Sequence, residues 1–224
     1  DEYLPARGDG FRSGDDPRPR ARLVIAYTGH GRPNSNPRSK DAALILADAA
    51  SIDASSSSSV FLMTQFADRI KALSGNYFHV LTLLNACFSG NFFGSSGGGT
   101  PYENHEPGSY AITAGSAGRT VPSLDPAKGS VFFDLIVTGV PSGQADVDGG
   151  QQVSANDGTN DIAVADPPIA RTGAIFDYLN RSYRKINREW RNKPGFERLS
   201  MPWMAANQDD GPAFGGFFFL ADPL

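Results

Sequence analysis

Residues 78–86, FHVLTLLNA, constrain the fold more than any other segment of the chain. The run is β-prone and apolar along almost its whole length instead of alternating, which is the pattern of a strand covered on both faces. A strand of that kind requires layers packed above and below its sheet. The flanking segments supply them. Residues 23–27 (LVIAY) read as a second short buried strand, 109–114 (SYAITA) as a third and 217–220 (FFFL) as a last one; 42–47 (AALILA) is a further short apolar run. Residues 60–73 read as a helix with Phe61, Phe66, Ile70 and Leu73 on one face. Residues 130–140 read as another, with Ser130 as its cap. The clearest helix is 172–190: Thr172 can cap it, and Ile175, Leu179, Tyr183, Ile186 and Trp190 recur at near-helical spacing. Strands alternating with helices predict an α/β fold with a mostly parallel central sheet flanked by helices.

With 224 residues the chain suits one domain. Residues 1–22 are polar and without period, and read as a leader or the end of a processed segment, with the domain over 23–224. Glycine and proline cluster, which predicts long surface loops over 91–108 and 141–170, while the serine-rich 51–59 reads as a flexible connection. Lys plus Arg number 20 and Asp plus Glu 24, for a net charge of -4, which argues against a generic binder of nucleic acid or anionic membrane. The longest mostly apolar stretch, 78–88, is too short to span a bilayer. Cys87 is the one cysteine, so an internal disulfide framework and a cysteine-built zinc site are both excluded. A lone thiol and no visible export signal point to a reducing cytoplasm.

Two of the strand runs end in polar, glycine-containing clusters: LVIAYTGHG and HVLTLLNACFSG. Ligands of open α/β sheets bind beyond the carboxyl ends of parallel strands. If both strands lie in one sheet, His30 and Cys87 project from the same edge. A thiol needs a base to become a thiolate near neutral pH, and imidazole is the usual one. Flanking glycines let a substrate carbonyl approach exposed backbone N–H groups, the raw material of an oxyanion hole.

At these residues the chain resembles a family. Tyr27-Thr28-Gly29-His30-Gly31 looks like the (Y/F)SGHG signature of caspase-like cysteine peptidases, and Asn85-Ala86-Cys87-Phe88-Ser89-Gly90 like the DACxSG signature of their metacaspase and bacterial orthocaspase branch. His30 precedes Cys87 by 87 − 30 = 57 residues, in keeping with the separation of roughly 50 found in caspases. Residues 110–114, 129–140 and 172–179, and the ending from Gln208 through 215–220, resemble later elements of that fold, so the likeness covers about 23–221.

The resemblance implies a caspase-like sandwich and a cysteine endopeptidase. Cys87 would be the nucleophile, His30 the general base and acid, and the N–H groups of Gly31 and Cys87 the oxyanion hole. No third residue is required to orient the histidine. Substrate-binding positions would be Asn85, Ala114 and Arg119. The branch leans to Arg or Lys at P1, the residue whose carbonyl is attacked. It normally has Asp where this chain has Asn85, which leaves that preference open, and Arg119 could instead favour an acidic P1. The family also has strands before its histidine strand, so the fold reads as lacking its first strands in this chain, with a second chain or fragment completing the sheet. A protein or peptide is the expected substrate, and nucleic acid and membrane are not expected partners. No cofactor is required. Some relatives use calcium as an activator, and Asp146-Val147-Asp148-Gly149-Gly150 hints at a calcium loop, although Gln151 stands where its glycine belongs. The alternative function is a catalytically silent interaction or scaffold module with the same fold. An unrelated hydrolase or nucleotide-binding domain finds no GxSxG elbow and no GxxxxGK[ST] loop.

Overall fold

A computed structural model describes residues 12–13, 16–19, 21–34, 36, 41–49, 59–94, 108–123, 129–145, 169–207 and 218–220. Eleven strands and three helices follow in chain order within these residues. They are β1 (Arg12–Ser13), β2 (Asp16–Pro19), β3 (Arg22–Thr28), β4 (Gly31–Pro33), β5 (Ala42–Ile45), β6 (Val60–Leu62), α1 (Met63–Ser74), β7 (His79–Asn85), β8 (Ser109–Thr113), α2 (Val131–Gly139), β9 (Ile169–Arg171), α3 (Thr172–Trp190), β10 (Trp203–Asn207) and β11 (Phe218–Leu220).

The central sheet has the order β10-β8-β7-β3. β3 pairs with β7 in parallel, with Arg22 opposite His79 and Thr28 opposite Asn85, and β7 pairs with β8 in parallel. β10 closes the far side antiparallel to β8. The sheet is therefore mixed and mostly parallel, as the uniformly apolar strands predict. β7 is the buried centre: Val80, Leu81, Leu83 and Leu84 are each at most 5 % exposed.

Period two sorts the β7 side chains onto two layers. Val80 and Leu84 join the α1 layer, with Met63, Ala67, Ile70 and Leu73 of that helix. Leu81 and Leu83 join the opposite layer with Phe132 and Ile136 of α2 and Ile175 and Leu179 of α3. Each helix buries the stripe its spacing dictates. In α3, Thr172, Ile175, Leu179 and Tyr183 are buried, while Arg181, Arg184, Lys185 and Arg188 are exposed. Ser130 caps α2, its Oγ accepting from the Phe133 N–H at 3.2 Å.

The structure corrects the expected elements in four places. Residues 60–62, read as the start of a helix, form β6 instead, because they pair antiparallel with β5 as β5 pairs with β4. Thr172 does not cap α3 but is its first helical residue, after an extended Arg171. Residues 218–220 form a strand, as read, but one paired with β9 in a separate two-stranded ladder. Part of the loop-like leader forms the hairpin β1–β2. Most of the two long loops, 95–107 and 146–168, and with them the calcium-like Asp146 and Asp148, lie outside the described residues. No described helix is long and apolar enough to cross a membrane.

β3 stands at one edge of the sheet and is bonded on one side only among the described residues. Its alternation is clear: Leu23, Ile25 and Tyr27 pack against the α1 layer, and Arg22, Val24, Ala26 and Thr28 are exposed on the other face.

Packing sets the expected response to truncation. Leu84→Ala, at a fully buried position of the central strand, is expected to cost about 2–5 kcal/mol in denaturant unfolding. Val137→Ala, on the exposed face of α2, is expected to stay within about 0.5 kcal/mol of the parent.

Candidate active site

The register of β3 against β7 decides where the site forms. Thr28 lies opposite Asn85, and the Gly29 N–H donates to the Asn85 carbonyl at 3.1 Å, carrying the ladder one step past the strand. His30 and Cys87 each follow two residues after that last pair, just past the strand ends. Thr28 and His30 share one parity, as do Asn85 and Cys87, so all four side chains leave the sheet toward the α2–α3 layer. One cavity of about 240 Å³ is lined by all four of them.

Beyond the strands the backbone is tightly constrained. Phe88, directly after Cys87, has φ 62°, the one positive φ of a described non-glycine residue. Such a conformation costs about 1–2 kcal/mol and persists where the surroundings hold it. Here the Phe88 N–H donates to the Arg119 carbonyl at 2.7 Å, and the Ser89 and Asn91 N–H groups donate back to Ala86 and Phe88. The turn tips the Cys87 side chain to the mouth of the cavity, where it is part exposed. Its Sγ accepts from the Val121 N–H at 3.3 Å.

Gly31 meets the same turn from β4. A Cβ there would collide with the Cys87 carbonyl oxygen, so only glycine allows the approach. The Ile45 N–H donates to the His30 carbonyl, which makes Gly31–Leu44 a pair without hydrogen bonds and turns the Gly31 N–H away from β5. Among the described residues the Cys87 N–H also has no acceptor. Two amides flanking the thiol are thus not used by the fold. The Tyr27 hydroxyl fixes the His30 segment, 3.0 Å from the His30 carbonyl and 2.7 Å from that of Ile45. The His30 ring is exposed and has no hydrogen-bond partner among the described residues.

The structure brings together His30, Cys87, Asn85 and Gly31. Asn85 lines the cavity, and its Nδ2 donates to Thr28 Oγ1 at 2.9 Å. Ala114 is fully buried in the α2–α3 layer, and its N–H extends the sheet to the Leu84 carbonyl. Arg119 is exposed, touches the site through its carbonyl, and is not among the described lining residues. Phe92 and Phe93, after the cysteine, are buried in the α1 layer.

Sequence reasoning missed Val121, which lies in a stretch without period. It also missed Tyr183 and Leu199, cavity walls that read as core and as loop. Leu199 is held by Asn187 of α3, whose Nδ2 donates to the Leu199 carbonyl at 3.0 Å and whose Oδ1 accepts from its N–H at 2.8 Å. Among the described residues no cluster of His, Cys, Asp or Glu could hold a metal ion.

No protein-family model matches the chain, and no curated protein matches it.

Burial pushes the Tyr183 phenol far above its ordinary value of 10. The folded state therefore keeps the proton while the unfolded chain loses it from pH 10 upward, so this contribution is intact below pH 10 and declines above it. Between pH 10 and 12 the stability of the parent relative to Tyr183→Phe is expected to fall by up to about 1.4 kcal/mol per pH unit, read by urea unfolding at each pH.

Proposed function

We propose that the chain is a caspase-like cysteine endopeptidase, and that it cleaves peptide or protein substrates through a Cys87–His30 dyad and an acyl-enzyme. The observation that carries the reading is that His30 and Cys87, just past the carboxyl ends of two in-register parallel strands, line one cavity.

Cys87 gives its proton to His30 and attacks the scissile carbonyl carbon. The negative charge that develops on the carbonyl oxygen is met by the Gly31 and Cys87 N–H groups. Collapse of the tetrahedral adduct expels the amine, which takes the proton back from His30, leaving a thioester on Cys87. Water, deprotonated by His30, then attacks the thioester; the C–S bond breaks, the acyl group leaves as a carboxylic acid, and His30 returns the proton to the sulfur. The mechanism needs no cofactor; calcium enters as an activator to be tested. The resemblance also suggests a second chain or fragment beside β3, which is bonded on one side only among the described residues. The competing reading, a catalytically silent module, is favoured by the Val121 carbonyl, 3.8 Å from Cys87 Sγ, which accepts from the thiol and so favours its protonated form.

Fluorogenic peptides, assayed with and without calcium, separate the two. Cys87→Ala is expected to abolish turnover, and His30→Ala to lower kcat/KM by at least about 10²-fold. A thiol that ignores a peptidyl electrophile, with no turnover by the parent, would instead establish the silent module.

A further inference from the structure

Resting on the peptidase reading, we infer that the cavity beside Cys87 takes an uncharged P1 side chain bearing a carboxamide, glutamine or asparagine, with Asn85 as the residue that selects it. Asn85 and Cys87 alternate on the same face of the same strand end, so a side chain leaving the attacked carbonyl into the cavity passes Asn85. No described residue lining this cavity is Asp, Glu, Lys or Arg. Val131, Phe132, Leu199 and the ring of Tyr183 supply apolar lining.

A cationic side chain would find no counter-charge among the described lining residues, and an unpaired ion is costly to bury. An anionic side chain would find no cation among the described lining residues.

A carboxamide avoids both costs. The Asn85 amide is tethered on one side by Thr28 Oγ1, which leaves one of its polar atoms for the cavity. Nδ2 is the tethered atom, so Oδ1 and the second N–H are left over, and a substrate carboxamide, which both donates and accepts, complements them. The methylenes of glutamine fill the apolar part. Leucine or methionine fits the volume but leaves the Asn85 amide unpaired, the condition under which a polar site discriminates most strongly.

The test is a peptide panel varying only P1 over Gln, Asn, Arg, Lys, Asp and Leu, on the parent, Cys87→Ala and Asn85→Asp. Cleavage dependent on Cys87, with Gln or Asn at least about tenfold ahead in kcat/KM, is the expected result. Asn85→Asp is expected to move the preference toward Arg and Lys by about tenfold or more, because the carboxylate supplies the missing counter-charge. Arg, Lys, Asp or Leu leading on the parent would overturn the P1 assignment while the peptidase stands. No cleavage of any peptide by the parent, with Cys87 also inert to an electrophile, would overturn the peptidase reading and the assignment with it.

Discussion

The parallel, in-register pairing of β3 with β7 is the constraint on which the rest of the molecule depends. It sets Thr28 against Asn85, and the parity of the two strands then sends His30 and Cys87 to the same side. A slip of one residue would send one of the two into the opposite layer and dismantle the site without changing any side chain. What prevents the slip is burial. The odd residues of β7 pack against α2 and α3 and the even ones against α1, so both faces of the strand resist a change of register.

Around that pairing, the local backbone converts two strand ends into a site. Phe88 holds a left-handed conformation, Gly31 approaches the Cys87 carbonyl as no larger residue could, and the Val121 segment lies across the sulfur. These three features are supported by hydrogen bonds from distant parts of the chain, the Arg119 carbonyl among them. The walls are equally non-local: Leu199 reaches the cavity because Asn187 on α3 grips both its backbone groups. The site is thus rigidly built at its base and shaped at its rim by segments with little regular structure.

The central strands and the long helices were legible in the sequence because continuous apolar runs and 3.6-residue spacing are set by burial, which leaves its trace in residue type. β7, β8 and α3 are of this kind, and so was the pairing of the histidine and cysteine motifs, since glycines and a strand end mark both. β6 was illegible because Val60, Phe61 and Leu62 fit a helical stripe as well as a strand, and only pairing with β5 decides between them. β10 has a Trp-Met-Ala-Ala-Asn sequence of weak β preference, and its place on β8 comes from the ladder. The Val121 contact could not be read at all, because it uses a backbone amide, and a backbone amide is the same in every residue but proline.

The thiol and imidazole are brought together across 57 residues of intervening chain, by the kind of pairing that forms slowly because the loop must close before the contacts repay it. During synthesis the histidine strand leaves the ribosome first and waits for its partner. A nascent chain therefore carries first the imidazole and then the thiol, with no cavity yet between the strand ends. The imidazole and the thiol come to one cavity only with the completed sheet, so the fold itself sets the moment at which the two meet.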